Sequence, residues 1–66
     1  MKITLNGEPK ELQDGHTVTA LLEELGIQKD RVAVELNLDI VPKRRFADTV
    51  LKDEDRIEIV SFVGGG

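Results

Sequence analysis

The residues with the clearest potential for chemistry are the last three, Gly64, Gly65 and Gly66. Glycine has no Cβ atom, so the segment 63–66 is predicted to be a thin, flexible tail. At 3.3–3.6 Å per residue, these four residues could reach roughly 13–14 Å from a folded domain. An α-carboxylate at the end of this tail could enter a narrow active site of another protein. A free α-carboxyl group has a pKa of about 3.3–3.7 and is ionised at neutral pH, so it must be activated before it can act as an acyl donor.

The side chains usually found in catalytic sites do not form a recognisable site. His16 is the only histidine, Ser61 is the only serine, and the chain has no cysteine, so no nucleophile–base pair is indicated. The carboxylates of Asp53, Glu54 and Asp55 lack the ligand spacing of a calcium loop. We therefore predict that these three are turn residues, that His16 is solvated beside a turn, that no metal is bound, and that the protein is not an enzyme.

Composition excludes several other function classes. The chain has 66 residues, a net charge of −4, and neither Trp nor Tyr, so a nucleic-acid-binding surface is not expected. No apolar run approaches the ~20 residues that span a bilayer, and the N-terminus does not resemble a signal peptide. These features predict one domain with a cytoplasmic location, with neither nucleic acid nor a membrane as a partner.

The N-terminal residues predict a β-hairpin. Ile3 and Leu5 alternate with polar residues, as in a half-buried strand. Asn6-Gly7 is a strong signal for a two-residue hairpin turn. The returning strand, residues 8–13, contains Pro9, which cannot donate a backbone hydrogen bond and therefore predicts an edge strand.

The next segment predicts one amphipathic helix. Its apolar stripe has the spacing i, i+3, i+4 and i+7 and consists of Val18, Leu21, Leu22 and Leu25. Thr17 is placed to cap the first turn, and Gly26 suits the left-handed position that ends a helix.

The second half of the chain predicts further strands. Val32, Val34 and Leu36 alternate with more polar residues, and a short apolar piece at 39–41 is stopped by Pro42. The final strand, residues 56–63, carries apolar residues at both odd and even positions. It is therefore predicted to lie at the centre of the sheet, or to offer one face to a partner.

The order of these elements predicts an α+β fold. A helix across one face of a mixed sheet would bury the apolar sides of both. If the final strand lies parallel to the first, the fold is a ubiquitin-like β-grasp, with four to five strands packed on one main helix. Periodicity alone leaves other α+β arrangements open. The predicted domain covers residues 1–62, and the glycine tail covers 63–66.

The sequence also resembles the ThiS family, the bacterial sulfur-carrier proteins of thiamine biosynthesis. The resemblance covers nearly the whole chain and is carried by the segments 1–7, 14–18, 32–37, 40–43 and 55–59, together with the terminal Gly65-Gly66. The Gly-Gly end is shared with ubiquitin-like proteins in general. The Asn-x-x-Ile-Val-Pro stretch from Asn37 to Pro42 favours this family over the small subunit of molybdopterin synthase.

The resemblance implies a protein cosubstrate. In that family an E1-like adenylating enzyme uses ATP and Mg²⁺ to activate the terminal carboxylate, here that of Gly66. Sulfur that a cysteine desulfurase mobilises then gives a thiocarboxylate, which donates sulfur to thiazole synthase. The carrier itself is expected to bind no cofactor.

The remaining site residues are expected to bring the tail to a partner. Gly64 and Gly65 would enter the partner's active site, and partner docking is assigned to Val60, Phe62 and Val63. An ordinary core role is an equal alternative for Val60 and Phe62. The basic run Lys43–Arg45 could contact a partner, although a solvated basic surface is preferred.

Two other functions stay open on the sequence alone. The first is a sulfur carrier of another pathway, such as molybdopterin, cysteine or tRNA thiolation. The second is a ubiquitin-like interaction module that carries no sulfur. On the glycines alone, a frayed terminus without function is favoured, but their position directly after a β-grasp pattern reverses this preference.

Overall fold

A computed structural model describes residues 1–62. The segment 63–66, predicted as a flexible tail, lies outside the described residues. One helix packs on a mixed five-stranded sheet with the strand order β2-β1-β5-β3-β4. The elements are β1 (Lys2–Leu5), β2 (Glu8–Glu11), α1 (Val18–Leu25), β3 (Val32–Leu36), β4 (Asp39–Ile40) and β5 (Arg56–Ser61). Short 3₁₀ turns cover Lys29–Arg31 and Lys43–Arg45.

Strand β5 lies at the centre of the sheet. It runs parallel to β1 and antiparallel to β3, so the predicted β-grasp arrangement is confirmed. The strand ends at Ser61, although the backbone N–H of Phe62 still donates to Arg31 O at 2.8 Å. The end of the described chain is therefore held against the 3₁₀ turn that precedes β3.

The first hairpin forms as predicted, except that its second strand ends at Glu11 and does not extend to residue 13. Asn6 and Gly7 have φ angles of 49° and 86°, which are the left-handed conformations that a type I′ turn requires. Pro9 lies opposite Thr4 in β2, which is an edge strand of the sheet. An edge position tolerates the missing backbone donor.

Both predicted ends of α1 are confirmed. Thr17 Oγ1 accepts a hydrogen bond from the Ala20 N–H at 3.1 Å, and Gly26 adopts the left-handed conformation. The apolar stripe, however, does not extend to Leu25, which is exposed. The chain reverses at Gly26, and Ile27, whose N–H donates to Leu22 O, packs against the core after this reversal.

The core lies between α1 and one face of the sheet. It includes the helix residues Val18, Leu21 and Leu22, and the strand residues Ile3, Val32, Val34 and Ile57. The irregular segment 41–55 adds two buried side chains, Phe46 and Leu51. No helix among residues 1–62 is long and apolar enough to cross a membrane.

Of the three predicted turn residues before β5, Asp55 differs from the other two. Asp53 and Glu54 are exposed in a turn, but Asp55 is buried. Its carboxylate accepts hydrogen bonds from Asn37 Nδ2 at 3.0 Å and from the Lys52 N–H at 2.7 Å. Because Asn37 Oδ1 also accepts from the Arg56 N–H at 2.9 Å, this polar network fixes the start of β5.

Candidate docking surface at the end of the central strand

The candidate site begins at the last residues of β5. Of the predicted site residues, the structure describes Val60 and Phe62, while Val63, Gly64, Gly65 and Gly66 lie outside the described residues. Ile57 is buried and Ile59 packs against the core on the helix side of the sheet. Alternation along the strand places Glu58 and Val60 on the opposite, outer face.

Val60 and Phe62 have exposed fractions of 60% and 57%. An ordinary core role for these side chains is therefore wrong. They are exposed because α1 covers only one face of the sheet, which leaves the outer face of β5 without a packed layer. Two apolar side chains at the end of a strand are available for contact with another protein.

Further apolar residues continue this surface toward β4. Ala33 pairs with Val60, and Ile40 pairs with Glu35, which in turn pairs with Glu58. Paired residues project from the same face of a sheet, so Ile40 and Val60 share the outer face. Ile40 is largely exposed, as is Leu38 in the β3–β4 turn. We call Ala33, Ile40, Val60 and Phe62 the outer apolar surface.

The side chain of Asn6 supports β5 on the edge that faces β1. The β1–β5 register covers only the pairs Thr4–Arg56 and Leu5–Ile57. Beyond them, Asn6 Oδ1 accepts from the Ile59 N–H at 2.8 Å, and Asn6 Nδ2 donates to Ile59 O at 3.3 Å. The sequence indicates Asn6 as a turn residue but does not indicate this second contact, because Ile59 lies 53 positions away.

His16 lies away from this surface, beside a turn as predicted, but it is only partly solvated. Its side chain is only 20% exposed, and Nε2 is 3.0 Å from Glu24 Oε1. Glu24 also pairs with Lys10 Nζ at 3.4 Å. These contacts tie the loop before α1 and the edge strand β2 to the helix, so they account for His16 without a catalytic role.

All three residues of the basic run Lys43–Arg45 are exposed, and Lys43 is also part of an ion pair. Lys43 Nζ lies 2.7 Å from Asp30 Oδ1. The hydrogen bond from Lys43 and its positive charge hold the pKa of Asp30 below its usual range. Lys43 therefore joins the two 3₁₀ turns.

We expect Lys43→Gln to raise the pKa of Asp30 toward that of an unpaired aspartate, because the substitution removes the cation. A pH titration followed by NMR at the Asp30 carboxyl carbon measures this change. The lowered pKa in the folded state means that the pair stabilises folding at neutral pH, and that this contribution is lost as the pH falls through the pKa of Asp30. Arg44→Gln is the matched control and leaves the pKa unchanged; equal pKa values in the two variants would contradict the assignment.

The described residues offer no metal centre. Within 1–62, no group of three or more His, Asp or Glu side chains is arranged to hold a metal ion.

A family model, a curated relative and a solved structure all indicate the same family for this chain. Residues 3–66 match the ThiS family. The sulfur carrier protein ThiS of Bacillus subtilis is 42% identical over 65 residues, which cover 97% of this chain and 98% of that protein. The crystal structure of a thiamine biosynthesis protein (ThiS) from Geobacter metallireducens superimposes with a TM-score of 0.86 at 38% identity, covering 100% of both chains.

A second kind of relative is a longer protein. The thiazole synthase of Paramagnetospirillum magneticum is 50% identical over 66 residues, which cover 100% of this chain. The chain spans only 20% of the length of that relative. The similarity therefore concerns one region of a larger protein.

Proposed function

The chain belongs to the ThiS family, and from this premise we propose that it is the sulfur carrier of thiamine biosynthesis, in the branch that forms the thiazole. The observation that carries the proposal is the alignment with a sulfur carrier over nearly the full length of both chains. The thiazole synthase that includes a similar region supports the assignment to the thiazole branch. In this role the protein is a cosubstrate that enzymes modify, and it is not itself a catalyst.

The proposed reaction takes place at the α-carboxylate of Gly66. A carboxylate oxygen attacks the α-phosphate of ATP, which the adenylating enzyme holds with Mg²⁺, and pyrophosphate leaves. Hydrosulfide then attacks the acyl carbon, so that a C–S bond forms while the C–O bond to AMP breaks and AMP takes the electron pair. The product is a glycyl thiocarboxylate. A cysteine desulfurase supplies the sulfur as a persulfide, which a thiol reductant releases as hydrosulfide.

The outer apolar surface is the proposed docking site for the adenylating enzyme. Val60 and Phe62 contact this partner, and Val63 extends the contact into the tail. Gly64 supplies reach, and Gly65 then passes through a channel that excludes side chains, which explains glycine at position 65. The thiazole synthase accepts the sulfur in the next step. The cytoplasmic location and the absence of nucleic-acid and membrane partners stay predictions.

We expect a mass increase equal to the replacement of one oxygen by sulfur, located on Gly66, after incubation with ATP, Mg²⁺, the cognate adenylating enzyme and a sulfur source. Intact-mass analysis followed by fragmentation of the C-terminal peptide measures this increase. A reaction without ATP is the control, because the carboxylate is not activated there.

The outcomes of this experiment separate the alternatives. An unchanged mass in the presence of an adenylating enzyme that is active on another carrier would exclude sulfur carriage and leave a ubiquitin-like interaction module. A gain of sulfur that thiazole synthase cannot consume would instead assign the carrier to another sulfur-transfer pathway.

A further inference from the structure

The end of β5 needs support on the side that faces β1. Strand β1 ends at Leu5, and its register with β5 stops at Ile57. The docking residues Val60 and Phe62 come after this point. On this side of the sheet, β1 therefore does not pair with the part of β5 that leads into the tail.

The side chain of Asn6 takes the place of the missing strand residue. A primary amide has both a donor and an acceptor, as a peptide group does. The Asn6 amide uses both on the backbone of Ile59, at 2.8 Å and 3.3 Å. The left-handed backbone at Asn6 lets the main chain turn away toward Gly7 while the side chain stays beside β5. Asn6 thus combines a turn conformation with a strand-like contact.

On its other side, β5 is held along its full length. Val60 pairs with Ala33, Ser61 pairs with Val32, and the Phe62 N–H donates to Arg31 O. Among residues 1–62, Asn6 is the last residue that supports β5 from the β1 side. The Asn6 amide therefore holds the β1-facing edge of the end of β5, while β3 holds the other edge.

We propose that Asn6 is a positioning residue for sulfur loading: its side-chain amide holds the end of β5 so that Val60 and Phe62 are ordered on the outer apolar surface before the adenylating enzyme binds. The inference rests on the proposed function. Without the amide, the N–H and C=O of Ile59 lose their partners on that side, and the strand end frays. The enzyme then binds only the fraction of molecules that is ordered, which lowers the apparent affinity by that fraction.

Asn6→Gly separates this role from that of the turn. Glycine adopts the φ angle of 49° without strain, so the hairpin can still close while the amide is lost. We expect KM for the carrier in thiocarboxylate formation to rise on the order of tenfold with kcat unchanged, since ordering affects binding and not the later chemistry. Hydrogen exchange at the Ile59 amide should become faster by a similar factor.

Gly7→Ala is the matched control. Its φ angle of 86° strains any side chain, but an added Cβ has nothing within 4 Å. This variant weakens the same hairpin and leaves the Asn6 amide in place. At a temperature where both variants are folded, Gly7→Ala should retain the wild-type KM and the wild-type exchange rate at Ile59. Asn6→Asp keeps the acceptor and loses the donor, so it should not restore the wild-type KM.

The outcomes distinguish failure of the positioning role from failure of the proposed function. A wild-type KM in Asn6→Gly would overturn the positioning role, and so would an equal rise of KM in Gly7→Ala, because the effect would then follow hairpin stability. If the wild-type carrier gains no sulfur at all, the proposed function fails and the positioning role fails with it. If the wild type is loaded and Asn6→Gly is loaded equally well, only the positioning role fails.

Discussion

A chain that carries one alanine added after Gly66 is expected to gain no sulfur, while it unfolds at the same denaturant concentration as the unextended chain. In the extended chain the carbonyl of Gly66 belongs to a peptide bond and has no carboxylate oxygen to attack ATP. The new carboxylate is displaced by one residue, about 3.3–3.6 Å, and its residue carries a methyl group. We expect a loss of at least about a hundredfold, because a displacement of even ~1 Å at a reacting centre costs about that much. Intact-mass analysis under loading conditions measures it.

Gly64→Ala is the control for the added alanine. It places a methyl group in the tail but leaves the carboxylate on Gly66 at its original distance from the domain. We assign Gly64 to reach and not to the reaction, so this variant should still gain sulfur. Loading of the extended chain at the wild-type rate would contradict a role for the Gly66 carboxylate.

The parts of the fold that sequence analysis predicted correctly depend on neighbouring residues. Asn6-Gly7 specifies a tight turn by itself, and Thr17 and Gly26 bound a helix whose apolar spacing is local. The order of elements and the rule for layered α+β folds predicted a helix on one face of a mixed sheet, while the pairing of β5 with β1 was one of several arrangements that periodicity left open. These features could be predicted because each depends on a short stretch of sequence or on a general packing rule.

The residues that sequence analysis missed depend on distant contacts. Leu51 is buried in an irregular segment, where no periodicity indicates a side that faces the core. In the sequence, Asp55 cannot be distinguished from the exposed acidic residues beside it. Its burial depends on a hydrogen bond from Asn37, which lies 18 positions away. His16 was predicted to be solvated because its partner Glu24 lies one element further along. Position in the chain alone does not reveal such contacts.

The candidate site was predicted only in part for a related reason. Apolar residues at odd and even positions of β5 indicate that both faces are apolar, but not which face the helix covers. The fold resolves this, because Ile57 lies under α1 and Val60 does not. Nothing in the sequence indicated the contact of Asn6 with β5, because the turn alone is sufficient to explain an asparagine at this position.

The outer apolar surface is expected to contribute most of its binding free energy through Val60 and Phe62. We expect the double variant Val60→Ala/Phe62→Ala to lose about 2 kcal/mol or more of binding free energy toward the adenylating enzyme, roughly a thirtyfold weaker affinity. Both side chains are already exposed in the free carrier, so the free energy of unfolding should change by only about 0.5 kcal/mol. Calorimetric titration and urea unfolding measure the two quantities separately.

Val50→Ala provides the matched control for this surface. Val50 has the same side chain as Val60 and a similar exposed fraction, 52% against 60%, but it lies beside Thr17 at the start of α1. If exposed apolar area alone determined affinity, Val50→Ala and the single variant Val60→Ala would weaken binding equally, and docking through β5 would be wrong. If only the variants on β5 weaken binding, the partner contacts the outer face of the central strand. The same strand would then bind the enzyme and present the tail to it, so docking and delivery of the Gly66 carboxylate would depend on one element of the fold.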